Sequence, residues 1–98
     1  MVKHMIVWKF KEEVTDRREK ALAIKEALEG LVGRIEGLLE MQIHTEPLDS
    51  SSGDVFMDSS FESAEALAGY AKHPLHVAIA DGLVRPFMAL RLAFDFVV

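Results

Sequence analysis

Hydrophobic and polar positions alternate along residues 2 to 11. Val2, His4, Ile6, Trp8 and Phe10 share one face, and Lys3, Met5, Val7, Lys9 and Lys11 share the other. A period of two carried by β-branched and aromatic residues predicts a strand. The even face is the more apolar, yet the odd face holds Met5 and Val7 between its lysines. Apolar residues on both faces suit a sheet that is covered on both sides. The period then changes. Ala21, Ile24, Leu28, Leu31 and Ile35 recur at helical spacing with Leu22 and Val32 beside them, which predicts an amphipathic helix. Thr15 or Asp16 is placed to cap it, and Asp16 with Glu19 resembles a capping box. Gly30 and Gly33 weaken the last turn and put the helix end near residues 32 to 36, with Gly37 closing it.

Beyond Gly37, Leu39, Met41 and Ile43 alternate with Glu40, Gln42 and His44, giving a half-buried second strand. Residues 47 to 53 (Pro-Leu-Asp-Ser-Ser-Ser-Gly) are turn chemistry and predict a loop. Val55 to Phe61 reads as a third strand, paired with the second as a hairpin or meander. Ser63 caps a helix through Tyr70, with Phe61 placed to pack back on its first turn. Pro74 interrupts the helix, biases His73 away from helical geometry and opens a short helix to Asp81 that stops at Gly82. After Pro86, Met88, Leu90, Leu92, Phe94, Phe96 and Val98 alternate with Ala89, Arg91, Ala93, Asp95 and Val97, as in a long closing strand. The order β-α-β-β-α-β predicts an α+β, ferredoxin-like fold, an antiparallel sheet with both helices on one face. The other face, with Met5, Val7, Ala89, Ala93 and Val97 as candidates, needs cover, and a second copy of the sheet would supply it.

Composition narrows the function. With 98 residues, 1–98 is expected to be one domain. The net charge of −5 and the absence of a basic run argue against nucleic acid. Without cysteine there is no disulfide, thiol nucleophile or Cys-based zinc site. No apolar run is long enough for a membrane span, and the charged N-terminus is not a signal peptide. A cytoplasmic protein is the expectation.

Chemistry concentrates in Tyr70-Ala71-Lys72-His73-Pro74-Leu75-His76, which holds the only tyrosine and two of the four histidines. The bend at Pro74 lets Tyr70 end one helix and His76 begin the next, so that both point into a gap between helices and sheet. His4 looks into the same gap from the strand face it shares with Trp8. Imidazole exchanges protons near neutral pH and a phenol donates to a carbonyl or enolate oxygen, so the set could enolise a carbonyl compound without metal or organic cofactor. The alternative is structural: a tyrosine at a helix end and a histidine beside proline often only tie backbone groups. His44 reads as a surface group. His73 and His76 have metal-ligand spacing, but the proline breaks their register, so no metal site is assigned.

The opening Val2-Lys3-His4-Met5-Ile6-Val7-Trp8-Lys9-Phe10-Lys11, the turn at Gly37, Phe61-Glu62-Ser63, the Tyr70 to His76 segment and Phe94-Asp95-Phe96 together resemble the stress-responsive α/β-barrel (Dabb) domain over nearly the whole chain. The resemblance implies a homodimer in which two sheets face each other to form an α+β barrel with the helices outside. Most members have no established activity. One group, similar to a plant polyketide cyclase, runs a cofactor-free aldol condensation in a pocket between sheet and helices. By that likeness His76 is the base, Tyr70 its catalytic partner, and His4 a pocket residue. Trp8, on the same strand face as His4, and His73, in the same segment as His76, are expected as further substrate contacts. The cyclase has a further pocket histidine where this chain has Val55. Cofactor-free monooxygenases of the same superfamily are a variant of this reading. A stress-associated dimer that binds a ligand or partner without catalysis is the alternative.

Overall fold

The computed structural model describes residues 1–98. The elements are β1 (Val2–Phe10), α1 (Arg17–Glu29), β2 (Leu38–His44), β3 (Val55–Phe61), α2 (Ala64–Lys72), α3 (Pro74–Ile79) and β4 (Met88–Val97). The four strands form one antiparallel sheet in the order β2-β3-β1-β4, the ferredoxin-like α+β arrangement that the element order predicts. The even face of β1 is buried beneath the helices with Met57 and Phe61 of β3 and Ile24 and Leu28 of α1. Removing water from such side chains supplies about 1.5–3 kcal/mol each.

The ends of the elements differ from the periodicity in instructive ways. Helix α1 stops at Glu29, not near 32 to 36. Gly30 still carries the helical turn, but Gly33 adopts φ 86° and turns the chain away. Leu31 and Ile35 stay buried from this turn, which is why they kept the helical period. The side chain of Asp16 makes no cap bond; it lies 3.5 Å from Lys20 Nζ instead. Glu29 holds the far end of α1, since its carboxylate accepts from Lys25 Nζ at 2.8 Å and from the Ile43 amide of β2 at 2.9 Å. In β2 the pairing shifts between Leu38 and Glu40. Leu38 therefore enters the core and Leu39, expected inside, faces out. The short helix runs past Gly82 rather than stopping there: α3 passes into a π-helical turn, Ala80–Val84, and a 3-10 turn, Arg85–Phe87.

The largest correction concerns β4. Lys9 pairs with Leu90 but Phe10 pairs with Met88, which leaves Ala89 as an extra residue. A bulge of this kind inverts the side-chain parity beyond it. Ala93 and Val97 thus sit opposite Ile6 and Val2, on the helix side, and do not belong to the open face. Leu92 and Phe94, opposite Val7 and Met5, take their place.

Gly37 and Gly33 both have positive φ, 85° and 86°. A Cβ on Gly37 would lie 2.5 Å from the Ala66 Cβ, whereas nothing lies within 4 Å of one on Gly33. Gly33→Ala is expected to lose only the backbone cost, about 1–2 kcal/mol. Gly37→Ala should lose a further ~1–3 kcal/mol as α2 is pushed off the turn. Urea unfolding of both variants checks this; equal losses would show that the α2 contact has slack.

Candidate functional site

Helix α2 starts where expected, with Ser63 Oγ accepting from the Ala66 amide at 3.1 Å. It ends at Lys72, two residues past Tyr70, and His73 is extended (φ −65°, ψ 132°) with Pro74 opening α3. The break rotates the chain so that Tyr70 and His76 meet: their ring centroids are 4.2 Å apart. His73, expected to contact substrate, does not reach the same place. Its Nδ1 accepts from the Leu75 amide at 3.1 Å and caps α3, because the extended backbone before proline turns its ring onto the new helix.

Between the helix layer and the sheet lies a cavity of about 590 Å3, within the ordinary size range of small-molecule sites. Its walls are mostly apolar, and the polar side chains on them include His4, Tyr70, His76, Arg91 and Asp95. Trp8 also lines it. Helices α2 and α3 form the roof; β1 and β4 form the floor. The cavity thus brings together His4, Trp8, Tyr70 and His76 of the expected set and leaves out His73.

Asp95 and Arg91 were not singled out by sequence reasoning. Asp95 pairs with His4 across β1 and β4, and its carboxylate accepts from His4 Nδ1. Since a carboxylate only accepts, Nδ1 is the ring nitrogen that carries a proton, and the bond fixes the orientation of the ring. The available signal was the acidic side chain between two phenylalanines, but using it required the strand register. Arg91 stands opposite Trp8 in the same pairing.

Tyr70 is buried and its hydroxyl has no hydrogen-bond partner. Burial pushes the phenol well above its ordinary range, against a smaller opposing pull from Arg91. It therefore keeps its proton at neutral pH. His76 Nδ1 lies 3.2 Å from the Ala71 carbonyl. Since a carbonyl only accepts, Nδ1 carries the proton of the neutral ring and Nε2 is the free basic atom. Burial pushes the His76 imidazole below its ordinary 6.5, and Arg85, His4 and Arg91 act in the same direction against the Ala71 hydrogen bond. The arrangement can therefore hold one phenolic donor beside one neutral imidazole base. No three His, Cys, Asp or Glu side chains converge as a metal would require.

An unpaired buried hydroxyl is a liability to stability. Tyr70→Phe should therefore melt at or above the wild-type temperature, with any gain within about 1 kcal/mol. A thermal melt checks it; a loss beyond about 2 kcal/mol would mean that the hydroxyl holds the helix break together.

Comparison with known proteins places the chain in a family. Residues 2–98 match the model of the stress-responsive A/B barrel domain, Dabb. Olivetolic acid cyclase of Cannabis sativa is 29% identical over 96 residues, covering 97% of this chain and 94% of that protein. A dimeric protein of unknown function with a ferredoxin-like fold from Bacteroides fragilis superposes with a TM-score of 0.89 at 24% identity, covering 97% of this chain and 93% of the other. A protein from Arabidopsis thaliana superposes with a TM-score of 0.82 at 27% identity, covering 100% and 95%. The chain belongs to the Dabb, or stress-responsive A/B barrel, family.

Proposed function

We propose that this protein is a dimeric, cytoplasmic small-molecule-binding protein whose cavity carries out cofactor-free acid–base chemistry on a carbonyl compound. The observation that carries the reading is the unpartnered Tyr70 hydroxyl beside a depressed, neutral His76 at a cavity of ligand size. His76 Nε2 takes a proton from the carbon next to the carbonyl. The C–H electron pair becomes the enolate double bond, and the carbonyl π pair moves to oxygen. The Tyr70 hydroxyl donates a hydrogen bond to that oxygen, where the charge develops. His4, steered by Asp95, and Trp8 shape the pocket. The enolate carbon can then attack a second carbonyl of the same molecule: its pair forms the new C–C bond, the π pair of that carbonyl moves to its oxygen, and the oxygen recovers the proton held on His76 Nε2. Ring closure of some kind is what the Cannabis relative, a cyclase, performs.

One observation favours a second reading, a non-catalytic dimer. His76 is tied to the Ala71 carbonyl as a structural histidine would be. The two readings separate in α-proton exchange of small aromatic ketones in D2O, followed by NMR. Wild-type protein should accelerate exchange, and His76→Ala should lose about 10²–10⁴-fold while staying folded. Because His76 lies below its ordinary 6.5, the rate should hold down to that pH and fall only under it, as the base becomes protonated. No exchange in the wild type, with His76→Ala melting well below it, would establish the structural reading.

The dimer is proposed to form through the open sheet face. There Met5 and Val7 of β1 stand beside Leu92 and Phe94 of β4, with Leu92 59% and Phe94 69% exposed. An apolar stripe of this kind marks an interaction surface, and the Bacteroides protein of the same fold is a dimer. Val7→Lys or Leu92→Lys would bury an unpaired charge between copies and should yield a monomer by sedimentation, where the wild type is a dimer. A dimer unchanged by both substitutions would move the interface elsewhere.

A further inference from the structure

One charge on the cavity wall is left without a partner. Asp95 is bonded to His4, and Arg85 Nη1 lies 2.5 Å from Asp81 Oδ1. Arg91 makes neither an ion pair nor a side-chain hydrogen bond. It lines the cavity on the same sheet face as Trp8, Ala93 and Asp95. Asp95 cannot neutralise it directly, since four residues of strand separate their Cα atoms by about 13 Å. Ala93 stands between them on the same face of the strand. The cavity is therefore polarised along β4, with a free guanidinium at one end and the His4–Asp95 pair at the other. The remaining walls are mostly apolar.

We infer that Arg91 is an anion-binding, specificity-determining residue: the ligand is an amphipathic carboxylate whose acid group sits on the Arg91 guanidinium and whose apolar body lies along the cavity toward Tyr70 and His76. The guanidinium fork matches a carboxylate in two parallel hydrogen bonds. Arg91 lines the same cavity as Tyr70 and His76, so a carboxylate seated there would bring the carbons beyond it toward the reacting pair. The inference rests on the reading of this cavity as a ligand site, and adds which end of the ligand goes where.

Octanoate and octanamide test it, with fluorescence of Trp8, the only tryptophan, reporting occupancy of the cavity it lines. The two probes share an apolar chain and differ in charge. Wild-type protein should bind octanoate about tenfold more tightly than octanamide, the low end of what a hydrogen bond to a charged group provides. Arg91→Leu should abolish that preference and leave octanamide binding unchanged or tighter, while Arg91→Lys keeps a reduced preference. Arg85→Ala should leave it intact. Equal affinity for the two probes in the wild type, or a preference that survives Arg91→Leu, would overturn the anion site and leave the cavity as a ligand site. Binding of neither probe up to millimolar concentration would overturn the ligand-site reading itself, and the anion site with it.

Discussion

Strand β1 runs through the middle of the sheet and pairs with β4 in a register that slips by one residue at Ala89. The contents of the cavity depend on that slip. Beyond the bulge, odd residues of β4 face the helices, so Asp95 meets His4 and Arg91 meets Trp8. Without it the leucines and phenylalanines of β4 would point into the cavity, and the charges would point to the open face. The same slip sends Leu92 and Phe94 outward beside Val7 and Met5. One backbone irregularity thus produces both a polar cavity floor and an apolar outer face.

The roof depends on a second irregularity. Pro74 has no amide hydrogen to continue α2, and the residue before it is sterically driven out of helical geometry. The His73 ring replaces a lost backbone partner by accepting from the Leu75 amide. The two short helices therefore meet at an angle, which brings rings six positions apart into contact. Residues six apart on an unbroken helix would point about 120° apart around the axis. Tyr70 and His76 are neighbours because the helix is broken between them.

Much of this was legible in the chain. The strand–helix order follows from a period that switches between two and 3.6, and the Pro74 break from proline chemistry alone. His4, Trp8, Tyr70 and His76 were found by residue type and by face. What periodicity could not reveal was any feature governed by pairing between distant strands. Leu39 and Ala93 were misplaced for one reason: a bulge adds a residue without changing the local hydrophobic pattern. Met88 made matters worse, since it packs against the core and gives the even positions of β4 an inward appearance that ends at Ala89. Asp95 and Arg91 went unnoticed because their meaning lies in their partners, His4 and Trp8, more than 80 positions away in the chain. His73 shows the opposite error, in which a residue type suited to chemistry serves the backbone instead.

Residue burial shows where this architecture leaves its chemistry free to change. The core that sets the fold lies over β1, β2 and β3, with α1 and Tyr70 packed on it. Strand β4 is at the edge of the sheet and is exposed along nearly all its length on both faces, since the cavity stands between its inner face and the helices. A substitution at position 91 therefore alters the charge of the cavity without opening a hole in the core, and exposed positions of this kind usually change stability little, whereas Asp95 is tied to the buried His4. Positions such as Gly37, pressed against Ala66, and Phe61, fully buried, have no such freedom. The core and the charge of the cavity floor are thus carried by different strands. A chain can keep this fold while exchanging an apolar cavity floor for one with a cation, so membership of the family settles the architecture and leaves the charge of the cavity floor to β4.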